Sequence, residues 1–236
     1  GAKLLFLVPT LQNPTTGIMS LTRRQEIVAV ARRHDLLLVE DDVYGYVIEN
    51  PPPPIATLAP ERTIYITSAS KCLAPGLRVS WLSAPRRQLL RLAEAARIVT
   101  VTQPALTGAV VTQWINEGRA EALLHWQRQE TAARQAIAAE HLAGLDWRGH
   151  EAALHIWLTL PPPWRSDDFT AAARQAGIAI SPLGPFTVEN PVPPGESPQS
   201  VRITLSQPPD RLTLTRALLT LRDILERGPN RPRAII

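Results

Sequence analysis

Apolar and polar positions alternate along this chain in two different textures. KLLFLVP (3–9) and DLLLVED (35–41) are short, nearly continuous apolar runs, the pattern of parallel strands covered on both faces. Between them, LTRRQEIVAVARRH repeats its apolar positions at helical spacing directly after Ser20, a residue type suited to capping a helix N-terminus. The three segments predict a βαβ unit. TIYITS (63–68) reads as the next buried strand, and LRVSWLSAP (77–85) as another after a Pro-Gly turn. RQLLRLAEAARIV opens a helical region, and a long amphipathic segment follows from about Gln103 to Leu142, interrupted near Gly118. Beyond Gly144 the texture changes. LHIWLTLP predicts a strand, SDDFTAAARQAG a helix closed by glycine, IAISPL and SVRITLS two further strands, and RLTLTRALLTLRDILERG a final helix. The proline-rich pieces PPPP (51–54), PPPW (161–164) and NPVPPGESP (190–198) lack the donors a sheet needs and predict loops.

The expected architecture is α/β. A mostly parallel sheet occupies residues 1–100, connecting helices residues 101–143, and a smaller α+β domain residues 144–236. With 236 residues, 44% of them hydrophobic, the chain can bury a substantial core, and no apolar run is long enough to cross a bilayer. The single cysteine, Cys72, excludes an intrachain disulfide and a multi-cysteine zinc site, and fits a reducing cytoplasmic setting. The five histidines show no metal-ligand spacing. A formal charge of +4 does not point to nucleic acid, because the arginines are scattered. Arg23-Arg24, Arg32-Arg33 and Arg86-Arg87 fall at helical positions expected to face solvent.

Against that background one lysine stands out. Lys3 and Lys71 are the only lysines in a chain whose other fixed positive charges are arginine, and Lys71 sits among small hydroxyl residues in TSASKCLAPGLR. An amine can lose its proton and act as a nucleophile, which arginine cannot do. Three clusters follow predicted strands in order: Asn13 in LQNPTTG, Asp41 and Tyr44 in VEDDVYGY, and Ser68, Ser70, Lys71 and Arg78. Arg202 lies in the late strand SVRITLS. In open α/β sheets, ligands bind beyond the carboxyl ends of strands, where the first three clusters fall. Singly, each residue has an ordinary explanation as a surface charge, a turn former or a cap. Together they match pyridoxal phosphate. Lys71 offers the Schiff-base amine, and Asp41 a carboxylate for the pyridine nitrogen. Asn13 and Tyr44 can hydrogen-bond the phenolic oxygen, while Ser68, Ser70 and Arg78 suit the phosphate.

These residues resemble fold-type I pyridoxal-phosphate enzymes of the class I/II aminotransferase group. The resemblance rests on N-P-T-x-G (Asn13 to Gly17), D-x-x-Y (Asp41 to Tyr44), S-x-S-K-x-x-x-P-G-L-R (Ser68 to Arg78) and the late arginine. It implies that Lys71 carries the internal aldimine and shuttles a proton, and that Asp41 pairs with the pyridinium. Arg78 would pair with the phosphate, and Arg202, with Asn13 nearby, with the substrate carboxylate. P-G-L-R-V-x-W, EDD-x-Y and A-A-L-H-I-W-L-x-L-P resemble the aminotransferase-like domain of MocR-type regulators in the GntR superfamily. That likeness implies an effector domain that senses an amine or amino acid in a parent protein that binds DNA through another domain. A free-standing aminotransferase and an interaction module without cofactor are the competing readings. The group implies a homodimer. It also implies an additional N-terminal half, so the sheet is expected to carry an open edge and this chain to bind the cofactor weakly or not at all. Thr16 and Ser80 depart from the pattern, the first as an extra residue before Gly17 and the second where relatives carry glycine.

Overall fold

A computed structural model describes residues 1–100, 105–187 and 199–229. The chain divides into two compact units, one of residues 1–13 and 17–129 and the other of residues 14–16 and 130–236.

In the first unit, strands β1 (Leu4–Leu7), β2 (Leu37–Asp41) and β3 (Thr63–Ser68) run parallel, and β4 (Ser80–Ser83) closes the sheet antiparallel to β3. Helix α1 (Leu21–Arg33) links β1 to β2. Ser20 caps it by accepting from the Arg23 amide at 3.2 Å, as the sequence predicts. The one-turn helix α2 (Ile55–Leu58) precedes β3. Val28 and Ala31 of α1 pack with Leu38, Ile55 and Ala59 to cover one face of the sheet. The register puts Leu4, Phe6 and Leu82 on the opposite face. Those three side chains are about half exposed, and all four residues of β4 are exposed. A sheet face that rich in apolar side chains ordinarily packs against another layer.

After β3 comes the single-turn helix α3 (Ala69–Cys72), then α4 (Arg86–Thr100), α5 (Ala105–Asn116) and α6 (Arg119–His141) after β4. Gly118, at φ +74°, supplies the left-handed turn between α5 and α6, the interruption expected there. No side chain of α4 is buried.

The second unit contains an antiparallel sheet in the order β5 (Trp147–Arg148), β6 (His155–Thr159), β8 (Ser200–Thr204), β7 (Ser181–Pro182). Helices α7 (Ser166–Gln175) and α8 (Arg211–Arg227) complete it with the C-terminal part of α6. Leu214, Leu218, Leu221 and Leu225 recur at helical spacing and bury one stripe of α8 against Ile156, Leu158, Val201 and Ile203. Asp210 caps α8 through the Thr213 amide at 2.7 Å. The strand expected over IAISPL is only two residues long. Proline at 182 removes a ladder donor and accounts for its early end. The proline-rich loop 190–198 lies outside the described residues. Among the described residues no helix is long and apolar enough to cross a membrane, and no group of three or more His, Cys, Asp or Glu could hold a metal ion.

Candidate functional site

The carboxyl ends of β1, β2 and β3 form one edge of the first sheet. Asp41 is the last residue of β2, half-buried, and accepts from the Val43 amide at 3.3 Å. Burial pushes its carboxyl above the ordinary aspartate range. The Val43 amide and the Lys71 charge pull it down, and Asp42 pushes it up. Tyr44 is buried, and the single turn that follows it runs over Gly45–Val47.

Lys71 arises from β3. Ser68 ends the strand and its hydroxyl accepts from the Ser70 amide at 3.0 Å, which starts the turn of α3 that carries Lys71. The ammonium lies 5.9 Å from the centre of the Tyr44 ring, within reach of the negative ring face. Asp41, Tyr44 and Lys71 therefore meet at one edge of one unit, with Ser68 and Ser70 in the same turn as the lysine.

The other expected residues are placed less tightly. Asn13 is half-buried in the loop after β1, a loop closed by the Gln12 amide on the Gly17 carbonyl at 2.9 Å. The extra threonine, Thr16, takes up the left-handed backbone there, with φ +59°. Arg78 is exposed and also left-handed, at φ +53°. A β-branched threonine or an arginine in that region is uncommon, and such backbone clusters at ligand sites. Ser80 is the register partner of Ser68 across β3 and β4. Arg202 belongs to the second unit. There it donates to the Ser181 hydroxyl at 3.2 Å and lies 5.3 Å from the centre of the Phe186 ring.

Three features of the site go beyond the sequence reading. Arg24, expected at a solvent-facing position, has no exposed surface and lies 3.7 Å from Glu40, which is equally buried. The expectation fails because Arg24 stands four and seven residues before Val28 and Ala31, on the buried stripe of α1. Its guanidinium donates to the carbonyls of Pro9, Met19 and Pro53 and to the Thr10 hydroxyl. Glu40 accepts from the Ile55 and Ala56 amides at 2.8 Å each. Burial raises its carboxyl above the usual range, and those amides oppose the rise. Asp42 is buried and accepts from the Tyr65 hydroxyl at 2.9 Å, so burial and that carboxylate hold the Tyr65 phenol protonated well above its ordinary value. Finally, the Gln127 amide of α6 donates to the Lys71 carbonyl, and Arg128 donates to the carbonyls of Tyr46, Val47 and Ile48.

A cavity of about 590 Å³ opens beside β3 and β4, lined by Tyr65, Thr67, Cys72, Trp81, Ile115 and Leu124 among others. Neither Asp41 nor Lys71 lines it. Its wall is almost wholly apolar, which suits packing rather than the polar chemistry of the strand ends.

The family model for aminotransferase class I and II matches residues 2–218. The chain belongs to that family. Among curated relatives of this aminotransferase-family chain, an uncharacterised HTH-type transcriptional regulator of Bacillus subtilis, YdeF, is 30% identical over 95% of the chain and 48% of its own length. The 2-aminoadipate transaminase of Thermus thermophilus is 29% identical over 78% of the chain and 49% of its own length. The chain thus spans about half the length of these relatives. Among solved structures, the kynurenine aminotransferase of Pyrococcus horikoshii superposes with a TM-score of 0.84 at 25% identity, over 95% of this chain and 56% of that one. The α-aminoadipate aminotransferase LysN of Thermus thermophilus, complexed with N-(5'-phosphopyridoxyl)-L-leucine, gives 0.82 at 26% identity, over 95% and 59%. The fold is that of fold-type I aminotransferases, and the mixed, mostly parallel sheet agrees with the architecture expected from the sequence.

Proposed function

We propose that this chain is the pyridoxal-phosphate-binding part of an aminotransferase-like effector domain in a MocR-type regulator of the GntR superfamily. The observation that carries the reading is the convergence of Lys71, Tyr44 and Asp41 at the strand ends of one sheet. The donor set fits the cofactor. Asp41 is a half-buried carboxylate whose pKa burial raises, so a cationic ring nitrogen opposite it restores a partner for its charge. When bound, pyridoxal phosphate supplies a carbonyl carbon for an amine and a ring that draws electrons from the carbon beside that amine.

The chain's own residues have separate tasks in this reading. Lys71 provides the amine that attaches and detaches, and it accepts and returns a proton at Nζ. Asp41 holds the proton on the ring nitrogen, and Tyr44 with Asn13 donates to the phenolic oxygen. Ser68, Ser70 and Arg78 take the phosphate; the Ser68 hydroxyl, already accepting from the Ser70 amide, keeps its own proton to donate. Arg202 takes the carboxylate of an amino acid. Because Arg78 is exposed and much of the sheet is uncovered, affinity in this chain alone is low.

The likeness to YdeF, an HTH-type transcriptional regulator, favours a parent protein that binds DNA through a separate domain. In our reading that parent is a cytoplasmic homodimer that senses an amine or amino acid. The likeness to 2-aminoadipate transaminase supports a second reading, an enzyme that moves an amino group between an amino acid and a 2-oxo acid. Borohydride reduction with excess pyridoxal phosphate, followed by peptide mapping, tests the shared core. The expected adduct is on Lys71, whereas labelling of Lys3 and Lys71 at equal rates would overturn the reading. On the parent protein, sustained turnover of amino acid with 2-oxo acid favours the enzyme, and ligand-dependent DNA binding without turnover favours the regulator.

A further inference from the structure

Two consecutive residues of α6 hold the two backbone segments that face each other at the site. The Gln127 side-chain amide donates to the Lys71 carbonyl at 2.5 Å. Next to it, Arg128 donates to three successive carbonyls, Val47 at 3.2 Å, Tyr46 at 2.7 Å and Ile48 at 3.1 Å. Those carbonyls belong to the turn that Tyr44 leads into. Helix α3 has a single turn, so its last carbonyls lack the intrahelical donors a longer helix supplies. A donor from another element therefore decides where the Lys71 backbone sits. A guanidinium fork meets several carbonyls at fixed angles, which a lysine ammonium cannot copy.

We infer that Gln127 and Arg128 are positioning residues that set the separation between Lys71 and Tyr44, and through it the reactivity of the Lys71 amine. The functional meaning rests on the cofactor reading above, but the geometric claim does not. Neither residue belongs to the motifs that carry the resemblance, and each acts through backbone carbonyls. Gln127 fixes the lysine from its carbonyl side, and Arg128 fixes the phenol from the chain that follows it. Loss of either lets the lysine side chain swing away from the Tyr44 ring.

The chain's two lysines make the experiment internally controlled. Trace labelling of the full chain with acetic anhydride, read by peptide mass as the ratio of Lys71 to Lys3, reports exposure and protonation of the Lys71 amine without any cofactor. Reductive trapping with pyridoxal phosphate reports productive placement. Gln127→Glu keeps the side-chain volume and removes the donor, Gln127→Met removes all polarity, and Arg128→Lys keeps charge but not the fork. In Gln127→Met and Arg128→Lys the anhydride ratio is expected to rise. The trapped Lys71 adduct is expected to fall about fivefold, the effect of one net hydrogen bond. Gln129→Ala, at an exposed position on the same helix whose side chain hydrogen-bonds to His125, should leave both readouts unchanged. Thermal unfolding of every variant separates misplacement from unfolding. An unchanged anhydride ratio in folded Gln127→Met and Arg128→Lys overturns the inference. The same shifts in Gln129→Ala would overturn it too. Absence of a preferential Lys71 adduct in the unmutated chain counts against the cofactor reading alone, because the anhydride ratios still decide the positioning claim.

Discussion

Arg24 and Glu40 form an ion pair in which neither side chain has any exposed surface. The pair lies directly behind the candidate site, since Glu40 precedes Asp41 on β2 and Arg24 holds the Pro9 and Thr10 end of the loop that leads to Asn13. Desolvating both charges is expensive, so the arrangement is sustained by the four other acceptors of Arg24 and the two amides on Glu40. Removing one partner leaves the other charge buried. Arg24→Met should therefore destabilise the first unit by about 3–5 kcal/mol. Urea unfolding followed by tryptophan fluorescence measures it, and a loss below about 1 kcal/mol would show that water already reaches Glu40.

Glu40→Gln is the gentler probe of the same pair. The amide keeps one acceptor for the Ile55 or Ala56 amide and turns a donor toward the other, so a loss of about 1–3 kcal/mol is expected. Its pH dependence has a definite sign. Burial raises the folded Glu40 pKa, so this carboxyl contributes stability below its ordinary value, and that contribution is lost as pH rises through the raised value. Relative to the unmutated chain, the variant should gain ground with rising pH across that window. An opposite slope would mean that the two amides outweigh burial.

At the candidate site, Lys71→Arg keeps the positive charge near Tyr44 but has no amine able to attach to a carbonyl. Borohydride trapping with pyridoxal phosphate should then label neither position 71 nor any other above the Lys3 background. Asp41→Asn should retain a trapped adduct on Lys71 while lowering affinity for pyridoxal phosphate by about tenfold, the size of one charge-assisted hydrogen bond. Full affinity in Asp41→Asn would remove Asp41 from the ring nitrogen.

Most of this arrangement was legible in the sequence because it depends on short-range patterns. Apolar runs gave β1, β2 and β3, and strand order brought Asp41 and the turn of Lys71 to one edge. The supporting residues were not legible for a physical reason. Arg24 looks like half of an exposed Arg-Arg pair until its position on the buried stripe of α1 is counted. Gln127 and Arg128 lie 56 and 80 positions from the nearest carbonyls they serve in sequence terms, and no local pattern announces side chains that bond to distant backbone. The two-residue β5 and the single turn of α3 are too short for periodicity to register.

The exposed strand β4 and the apolar face of the first sheet predict self-association. Trp81 and Leu82 are each more than 40% exposed on a strand whose outer edge has no partner strand among the described residues. Such an edge is a template for pairing with another chain. Sedimentation velocity over a concentration series should show reversible association of this chain. Leu82→Lys should reduce it while leaving thermal unfolding within about 0.5 kcal/mol, because the side chain is already at the surface. Concentration-independent sedimentation as a monomer would show that the edge is protected.

In the second unit, Glu130 joins α6 to α8 by accepting from Arg134 at 2.7 Å and from Arg211 at 2.6 Å. Hydrogen bonding from Arg211, and then from Arg134, holds its carboxyl below the usual glutamate range against the opposing effect of burial. The stabilising share belongs chiefly to Arg134, whose side chain is 10% exposed and also binds the Leu205 and Pro208 carbonyls, whereas Arg211 is 55% exposed and screened by solvent. A depressed folded pKa contributes stability above the ordinary glutamate value, and that contribution disappears as pH falls through the depressed value. Glu130→Gln should thus cost about 1–3 kcal/mol at neutral pH. The difference from the unmutated chain should shrink as the solution is acidified below about pH 4, where the unfolded chain's glutamate is already largely protonated. Denaturant titrations at several pH values decide the matter: a difference that stays constant into strong acid would assign the effect to packing at the α6–α8 contact rather than to charge.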